Sequence, residues 1–317
     1  MKKDILLTIL SPAYNKGKTI QRSFDSLLRQ TCHDFEWLIV NDGSTDNTLS
    51  IIKEMKTSLF PIKIIDKKNE GLNRTFNRGV KEAKGKYILR LDPDDFLVDN
   101  AVEEVINEIR KYDGDESICS VAYLTKFNTG KIIGRNLLNK VTRTNFFDYR
   151  YKLKVKGDCC EIVRTDVLRK YPMPEIDGEK FCRESYIWFE IAQEYDAIYF
   201  PLAIYIREYN ENSISSNSVK VYSQNPNGMM LCNAQNVKLL LKYKNKNKYI
   251  KDILRSGVNY YRFGLYSKRS LISIMKGLPP LVTLFSIIPG CIIYIIDRIS
   301  PSFINRSLSF IRKIKHI

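Results

Sequence analysis

Tyr87-Ile88-Leu89-Arg90-Leu91-Asp92-Pro93-Asp94-Asp95 passes from an apolar run straight into a turn that is three-quarters carboxylate. A run this short, closed by an Asp-Pro breaker, reads as a fully buried strand over Tyr87–Leu91. Taken alone, the acidic cluster is an ordinary turn or helix cap. Its neighbours change that. Upstream, Ile5–Leu10, Trp37–Val40 and Ile62–Asp66 have the same buried-strand pattern. Between them lie helical patterns at Thr19–Gln30 (Ile20, Phe24, Leu27 and Leu28 on one face), Thr48–Met55 and Asn73–Ala83. Downstream, Asn100 to Tyr112 reads as a helix, with Asn100 as N-cap and Val102, Val105, Ile106 and Ile109 on its buried face.

Strands separated by helices of this length predict an α/β fold: a mostly parallel, Rossmann-like sheet with flanking helices. Ligands of such sheets bind beyond the carboxyl ends of the strands. Three ends here are polar: Ser11-Pro12-Ala13-Tyr14-Asn15, Asn41-Asp42-Gly43-Ser44-Thr45-Asp46 and Asp92-Pro93-Asp94-Asp95. Carboxylates crowded at such an edge call for a cation. Oxygen ligands without His or Cys favour Mg²⁺ or Mn²⁺, which can bridge a diphosphate. The Asp42 carboxylate can accept a hydrogen bond from a base N–H, as in uracil or thymine. The alternative is an Asp-Gly turn leading into the helix from Thr48.

Composition narrows the chemistry. The chain has 317 residues, 44% hydrophobic and 27% charged, enough for one large domain with an appendage or for two domains. Its seven cysteines have no metal-ligand spacing and read as reduced thiols of a cytosolic protein. The two histidines, His33 and His316, leave acid–base work to carboxylates. The apolar run after Met1-Lys2-Lys3-Asp4 is too short for a signal peptide. The net charge of +16 is concentrated at one end, because residues 221–317 hold 16 Lys/Arg against 2 Asp/Glu. A nucleic acid or an anionic membrane surface would attract such a tail.

The middle of the chain is less regular. Ser117–Leu124, Lys131–Ile133 and Ala197–Arg207 suggest strands, and Glu184–Tyr195 a helix. From 221 the pattern is helical and basic. Gly277–Ile296 then runs without a charge, interrupted by Pro279, Pro280, Pro289 and Gly290. A helical hairpin or a monotopic helix at a membrane surface fits these prolines better than a clean span, and a hairpin buried against the body is the rival. Three segments result: residues 1–115, residues 116–220, and residues 221–317, the last helical, basic and read as membrane-associated.

The series Ser11-Pro12-Ala13-Tyr14-Asn15, Asn41-Asp42-Gly43-Ser44-Thr45-Asp46, Asn69-Glu70-Gly71-Leu72, Gly85-Lys86-Tyr87-Ile88 and Leu91-Asp92-Pro93-Asp94-Asp95 resembles glycosyltransferase family 2 in order and spacing. That resemblance covers about residues 5–115 closely and 155–215 more loosely. It implies a GT-A fold, a nucleoside-diphosphate sugar donor, a divalent metal and transfer with inversion. By position it assigns Pro12, Ala13 and Asp42 to the nucleoside, Asp92 to the ribose or metal, and Asp94 to the metal, with Asn15 also among the donor-binding residues. The acceptor base of the family opens a helix in the second half, where Glu184 stands, with Glu179 in reserve. Trp188, one turn on, would offer a sugar-stacking face or simply a core tryptophan.

Departures are visible. Where many relatives carry Ala-Arg-Asn, this chain has Thr75-Phe76-Asn77, leaving Arg74 as the basic group for a diphosphate. Asn41 replaces a common Asp, and no Gln-Xaa-Xaa-Arg-Trp motif occurs near 200–230, which speaks against a processive synthase. Glu208-Tyr209-Asn210-Glu211-Asn212-Ser213-Ile214 and Asn225-Pro226-Asn227-Gly228 are similar to elements of bacterial enzymes that build capsules and other surface polysaccharides. The expectation is a non-processive inverting transferase using a UDP-sugar and a glycan or lipid-linked acceptor at the inner face of the cell membrane. Its rivals are a nucleotidyltransferase, a degenerate sugar-nucleotide-binding scaffold and a nucleic-acid binder. The first lacks a glycine-rich phosphate loop, and the last rests only on the basic tail.

Overall fold

The computed structural model describes residues 5–208, 218–243 and 246–299. They fold as two compact units, divided after Met173, after Tyr186 and between residues 208 and 218: the first holds the described residues up to 173 with those of 187–208, the second those of 174–186 with those from 218 onward. In chain order the elements are β1 (Leu7–Ala13), α1 (Ile20–Leu28), β2 (Phe35–Asp42), α2 (Thr48–Glu54), β3 (Ile62–Lys67), α3 (Leu72–Glu82) and β4 (Tyr87–Arg90). Next come β5 (Phe96–Leu97), α4 (Ala101–Tyr112), β6 (Ile118–Phe127), β7 (Thr142–Thr144), β8 (Cys159–Arg164), α5 (Thr165–Lys170), α6 (Ser185–Ile191) and β9 (Asp196–Arg207). The last are α7 (Ser218–Gln224), α8 (Pro226–Lys242), α9 (Ile250–Gly264), α10 (Leu271–Met275) and α11 (Pro280–Ile299).

The first unit is built on one nine-stranded sheet, in the order β3-β2-β1-β4-β8-β6-β9-β5 with β7 beside β9. Strands β3, β2, β1 and β4 are all parallel, as the strand–helix alternation predicts. β8 then runs antiparallel to β4 and β6, so the parallel half that carries the strand-end loops joins a mixed half. β1 and β2 are buried along their whole length, which explains why they read as apolar runs rather than alternating ones. Phe24 of α1 stacks on Trp37 of β2 at 5.6 Å between ring centroids.

Several local readings shift. The first strand extends through Ser11-Pro12-Ala13, three residues past its predicted end. Pro12 is tolerated because the β1–β4 pairing stops at Leu10, with Leu91 N donating to Leu10 O at 2.9 Å. The next donor toward β4 would be the N–H that proline lacks. Asn100 does stand at the N-cap of α4 but makes no capping bond. Gln30, after α1, does that work: its Oε1 accepts from Val102 N at 2.9 Å while its Nε2 donates to Val98 O at 2.8 Å. Lys131–Ile133 forms only an isolated bridge, Lys126 to Ile132.

In the second unit, α9 packs against both α8 and α11. From Pro280 onward the apolar stretch 277–296 lies in a single helix and not a hairpin. Pro280 occupies its first position, where the missing N–H would be unpaired anyway, and Pro289 is accommodated inside it. The N-terminus of α8 is held by Glu179, whose Oε1 accepts from Asn227 N and Nδ2, both at 2.7 Å, and whose Oε2 accepts from Gly228 N at 2.8 Å. Asn225 Oδ1 returns the contact, accepting from Lys180 N and Phe181 N. This is why the Asn225-Pro226-Asn227-Gly228 motif accompanies Glu179.

Two substitutions test these packing arguments. A Cβ on Gly85 would fall on the backbone N of Thr8, and Gly85 N also donates to Thr8 Oγ1 at 2.8 Å. Gly85→Ala should therefore destabilise the protein by about 1–3 kcal/mol in urea unfolding, since backbone and not a flexible side chain must give way. Glu179→Ala, which strips three donors of their acceptor, should cost about 1–3 kcal/mol in the same measurement. An unchanged midpoint would show that the cap is dispensable.

Candidate functional site

The C-terminal edge of the parallel strands gathers the three polar loops. The turn at Asn15 has φ of 52°, a conformation that asparagine accepts better than most residues. Its side chain is exposed and tied to the β2 loop: Oδ1 accepts from Thr45 N at 2.8 Å and Nδ2 donates to Thr45 Oγ1 at 3.2 Å. Lys16 N donates to Thr48 Oγ1 and Gly17 N to Asp46 Oδ2, so the first two loops are bonded to each other. Pro12 and Ala13 are buried in β1 beside Val40 and Asn41 of β2.

Asn41 explains its own departure from the family pattern. Its Nδ2 donates to Asp66 Oδ1 at 2.7 Å and its Oδ1 accepts from Ser44 Oγ at 2.5 Å. An aspartate there would lose the donor and face Asp66 as a like charge.

Asp42 ends β2 almost wholly covered, its side chain 4% exposed. Its Oδ1 accepts from Lys67 Nζ at 2.6 Å and Glu70 N at 2.9 Å, and its Oδ2 accepts from Gly71 N at 2.9 Å. The Asn69-Glu70-Gly71 motif is thus the cradle of this carboxylate at the start of α3. Gly43 (φ 63°) is pressed against it, a Cβ there meeting Asn69 N at 2.7 Å. A carboxylate has about four acceptor positions, and these bonds take three of Asp42's. On α3, Arg74 is half-buried beside Glu70, whose carboxyl is held below its ordinary range by its hydrogen bond to Lys67 and, more weakly, by Arg74. Asn77 clamps Met173 through both its amide atoms at 2.9 Å, a structural use.

The acidic turn sits at the end of β4. Asp95 N donates to Asp92 O at 2.9 Å, closing a four-residue turn with Pro93 at its second position. Asp92 is partly exposed and accepts from Arg90 Nε and Nη2, each at 2.7 Å. Burial works to raise the Asp92 pKa, but Arg90, Arg207 and Lys16 outweigh it and hold this carboxyl below the ordinary range. Asp94 is paired with Lys16 Nζ at 2.5 Å. Asp95 is buried, and desolvation together with the charge of Asp92 pushes it up to about 7. Tyr205 of β9 fastens the whole turn. Its hydroxyl accepts from Asp92 N and donates to Asp95 Oδ2, both at 3.0 Å. Ser23 Oγ of α1 donates to Asp95 O at 2.7 Å.

Lys16, Arg90, Tyr205 and Arg207 were not singled out from the sequence. Lys16 follows a polar strand end and Arg90 interrupts an apolar strand, which are the signals that mark them. Tyr205 and Arg207 arrive from more than a hundred residues away and carry no local signal. Glu208, the first residue of the Glu208–Ile214 segment, donates its N–H to Asp95 Oδ1 at 3.2 Å and pairs with Arg22. Residues 209–214 of that segment lie outside the described residues.

Among the described residues no three or more His, Cys, Asp or Glu side chains are grouped to cage a metal. The pair Asp92 and Asp94, both partly exposed and offering only oxygen, fits Mg²⁺ or Mn²⁺ of the kind that a substrate diphosphate completes. Lys16 would have to release Asp94 for that. Glu184 belongs to the other unit. It is half-buried at the turn that opens α6, one residue before the helix begins. Glu179 is committed to capping α8, which removes it as a free carboxylate. Trp188 is half-buried and borders a small cavity with Phe146, Glu161 and Tyr199.

Tyr205→Phe separates positioning from stability. Losing its hydroxyl leaves Asp92 N and Asp95 Oδ2 without their partner, which should cost about 1–2 kcal/mol in urea unfolding. If the turn binds donor, affinity in calorimetric titration should fall as well. Loss of stability with unaltered donor affinity would make Tyr205 a purely structural residue.

The glycosyl transferase family 2 model matches residues 8–172. Chondroitin synthase of Pasteurella multocida is 43% identical over 123 residues, covering 39% of this chain and 12% of that protein. Chondroitin synthase of Escherichia coli is 42% identical over 111 residues, covering 35% of this chain and 16% of that protein. The chain thus matches only a small part of the length of these synthases. The Escherichia coli protein WfgD, a UDP-Glc:α-D-GlcNAc-diphosphoundecaprenol β-1,3-glucosyltransferase, is 27% identical over 222 residues, 68% of this chain and 82% of its own. Among solved structures, S. aureus TarS 1–349 in complex with UDP-GlcNAc aligns with a TM-score of 0.63 at 17% identity, covering 88% of this chain and 83% of that one. The mannosyltransferase PcManGT of Pyrobaculum calidifontis, in complex with GDP-Man and Mn²⁺, aligns with a TM-score of 0.55 at 14% identity over 93% and 88% of the two chains. These likenesses carry the fold, which is of the GT-A type. The family match takes in more than half of the sequence, and the chain belongs to glycosyl transferase family 2.

Proposed function

We propose that this glycosyltransferase is non-processive and inverting, and that it moves a sugar from a UDP-sugar to a hydroxyl of a glycan or lipid-linked acceptor in bacterial surface-polysaccharide assembly. The observation that carries the reading is the placement of Asp42 and the Asp92–Asp94 pair on strand ends of one parallel sheet with β1 between them. Two strand spacings, about 10 Å, separate their strands. That separation suits a base edge at one end and a diphosphate at the other. The names of WfgD and of the TarS complex, both with uridine donors, favour UDP over other carriers.

In this reading the free acceptor position of Asp42 takes the uracil N–H, and Pro12 and Ala13 bound the nucleoside. Arg74 lies toward the diphosphate. Asp92 and Asp94 would hold Mg²⁺ or Mn²⁺, which supplies charge neutralisation to the departing diphosphate. Glu184 accepts the proton of the acceptor hydroxyl as its oxygen bonds to the anomeric carbon, and the bond from that carbon to the diphosphate oxygen breaks. One carboxylate on the attacking side and positive charge on the leaving side is what single-step inversion requires. The enzyme would work at the cytoplasmic face of the cell membrane, associated with it peripherally.

A metal-independent variant is favoured by one observation: Lys16 and Arg90 already set cations on Asp94 and Asp92. Nucleoside diphosphate release from a panel of sugar nucleotides, with Mn²⁺ and with a chelator, separates the two. Asp94→Ala should lower turnover by about 10²-fold or more if its carboxylate holds the ion. Full turnover in chelator would remove the metal from the mechanism. Glu184→Gln should keep donor affinity and lose about 10²–10⁴-fold in transfer. A normal rate would move the base elsewhere.

A further inference from the structure

Helix α11 is built inside out. Its buried residues are Val282, Thr283, Ser286, Gly290 and Asp297, and three of the five are polar or charged. They face α9: Tyr261 Oη donates to Thr283 Oγ1 at 2.7 Å, and Arg262 grips Asp297 through Nε at 2.5 Å and Nη2 at 2.7 Å. The two helices touch closely, since a Cβ on Gly290 would meet Tyr261 Cβ at 2.6 Å. The outward face is Leu281, Leu284, Phe285, Ile288, Ile292 and Ile295, each between 51% and 69% exposed. Their spacing of three and four residues makes one continuous stripe. Proteins surrounded only by water rarely keep a stripe of this kind uncovered. The medium outside α11 must be less polar than the protein surface inside it.

We propose that this stripe rests in the surface of a bilayer containing anionic lipid, with α11 lying in the interface plane. Charge chooses lipid over a second copy of the chain. Residues 221–317 carry a net +14, and of their two acids Asp252 pairs with Arg255 while Asp297 is buried on Arg262. Another copy would bring the same positive charge to the contact, whereas an anionic surface complements it. Lys268, Arg269 and Lys276 precede the helix and Arg298 stands in its last turn. The interface is chosen over a span by α9. That helix lies against α11 and includes Lys251, Asp252, Arg255 and Arg262, which hydrocarbon would have to receive as well. An interfacial helix keeps its polar side on the protein and its apolar side in the acyl boundary.

Cosedimentation of the full chain with vesicles tests this without donor or turnover, so its failure is distinct from failure of the catalytic reading. Binding is expected to phosphatidylcholine vesicles containing phosphatidylglycerol, and to be weaker by about tenfold or more on phosphatidylcholine alone or in high salt. The L284D/F285D/I288D variant, which leaves the α9 contact intact, should lose binding at least about tenfold. In case that variant misfolds, Ile288→Trp provides a second reading: its fluorescence should be quenched by brominated lipid in the anionic vesicles. No binding to anionic vesicles, or no quenching, would overturn the proposal. So would concentration-dependent dimerisation that the triple variant abolishes in the absence of lipid binding.

Discussion

The β1 ladder is the constraint on which the site depends. β1 is hydrogen-bonded on both sides as far as Leu10 and is buried throughout, so its neighbours must follow it in register. Proline at position 12 then withholds the next donor toward β4. From that point the chain after Leu91 is released from the sheet while β2, on the other side, remains paired through Asn41. The acidic turn occupies the room so created. One absent N–H separates the strand that ends in Asp42 from the strand that leads into Asp92 and Asp94.

A released acidic turn would be unstable on its own, because three carboxylates in four residues repel. The fold answers with cations and one phenol. Arg90 and Lys16 neutralise Asp92 and Asp94, and Tyr205 binds the turn at both ends, leaving buried Asp95 the carboxyl raised in pKa. Asp42 is held by one cation, Lys67, together with two backbone N–H groups at the start of α3. The two carboxylate sites therefore differ in kind. Asp42 is almost fully buried and nearly saturated, whereas Asp92 and Asp94 are partly exposed and paired with Arg90 and Lys16.

The order of strands and helices in the first hundred residues was legible because each element's pattern is local: apolar runs for strands buried on both faces, three-and-four spacing for helices. The strand-end motifs were legible for the same reason. What was not legible is what those motifs touch. Gln30 caps α4 in place of Asn100, Glu179 caps α8 instead of standing free, and Tyr205 holds a turn 110 residues earlier in the chain. Each is a long-range hydrogen bond made by a side chain whose sequence neighbours say nothing of its partner.

Sequence by itself determined the class of fold, the polar loops at the carboxyl ends of the parallel strands, the family, and the presence of a basic, apolar C-terminal region. These follow from periodicity, from Pro and Gly at fixed places and from charge, all properties of the chain before it folds. Tertiary structure alone decided which carboxylates are already spent, which cations oppose the acidic turn, and which side of α11 is polar and turned inward. An apolar count over 277–296 cannot distinguish a helix that hides its oily face from one that displays it. Only the packing of Thr283, Ser286 and Asp297 against α9 does so, because burial is a property of partners and not of composition.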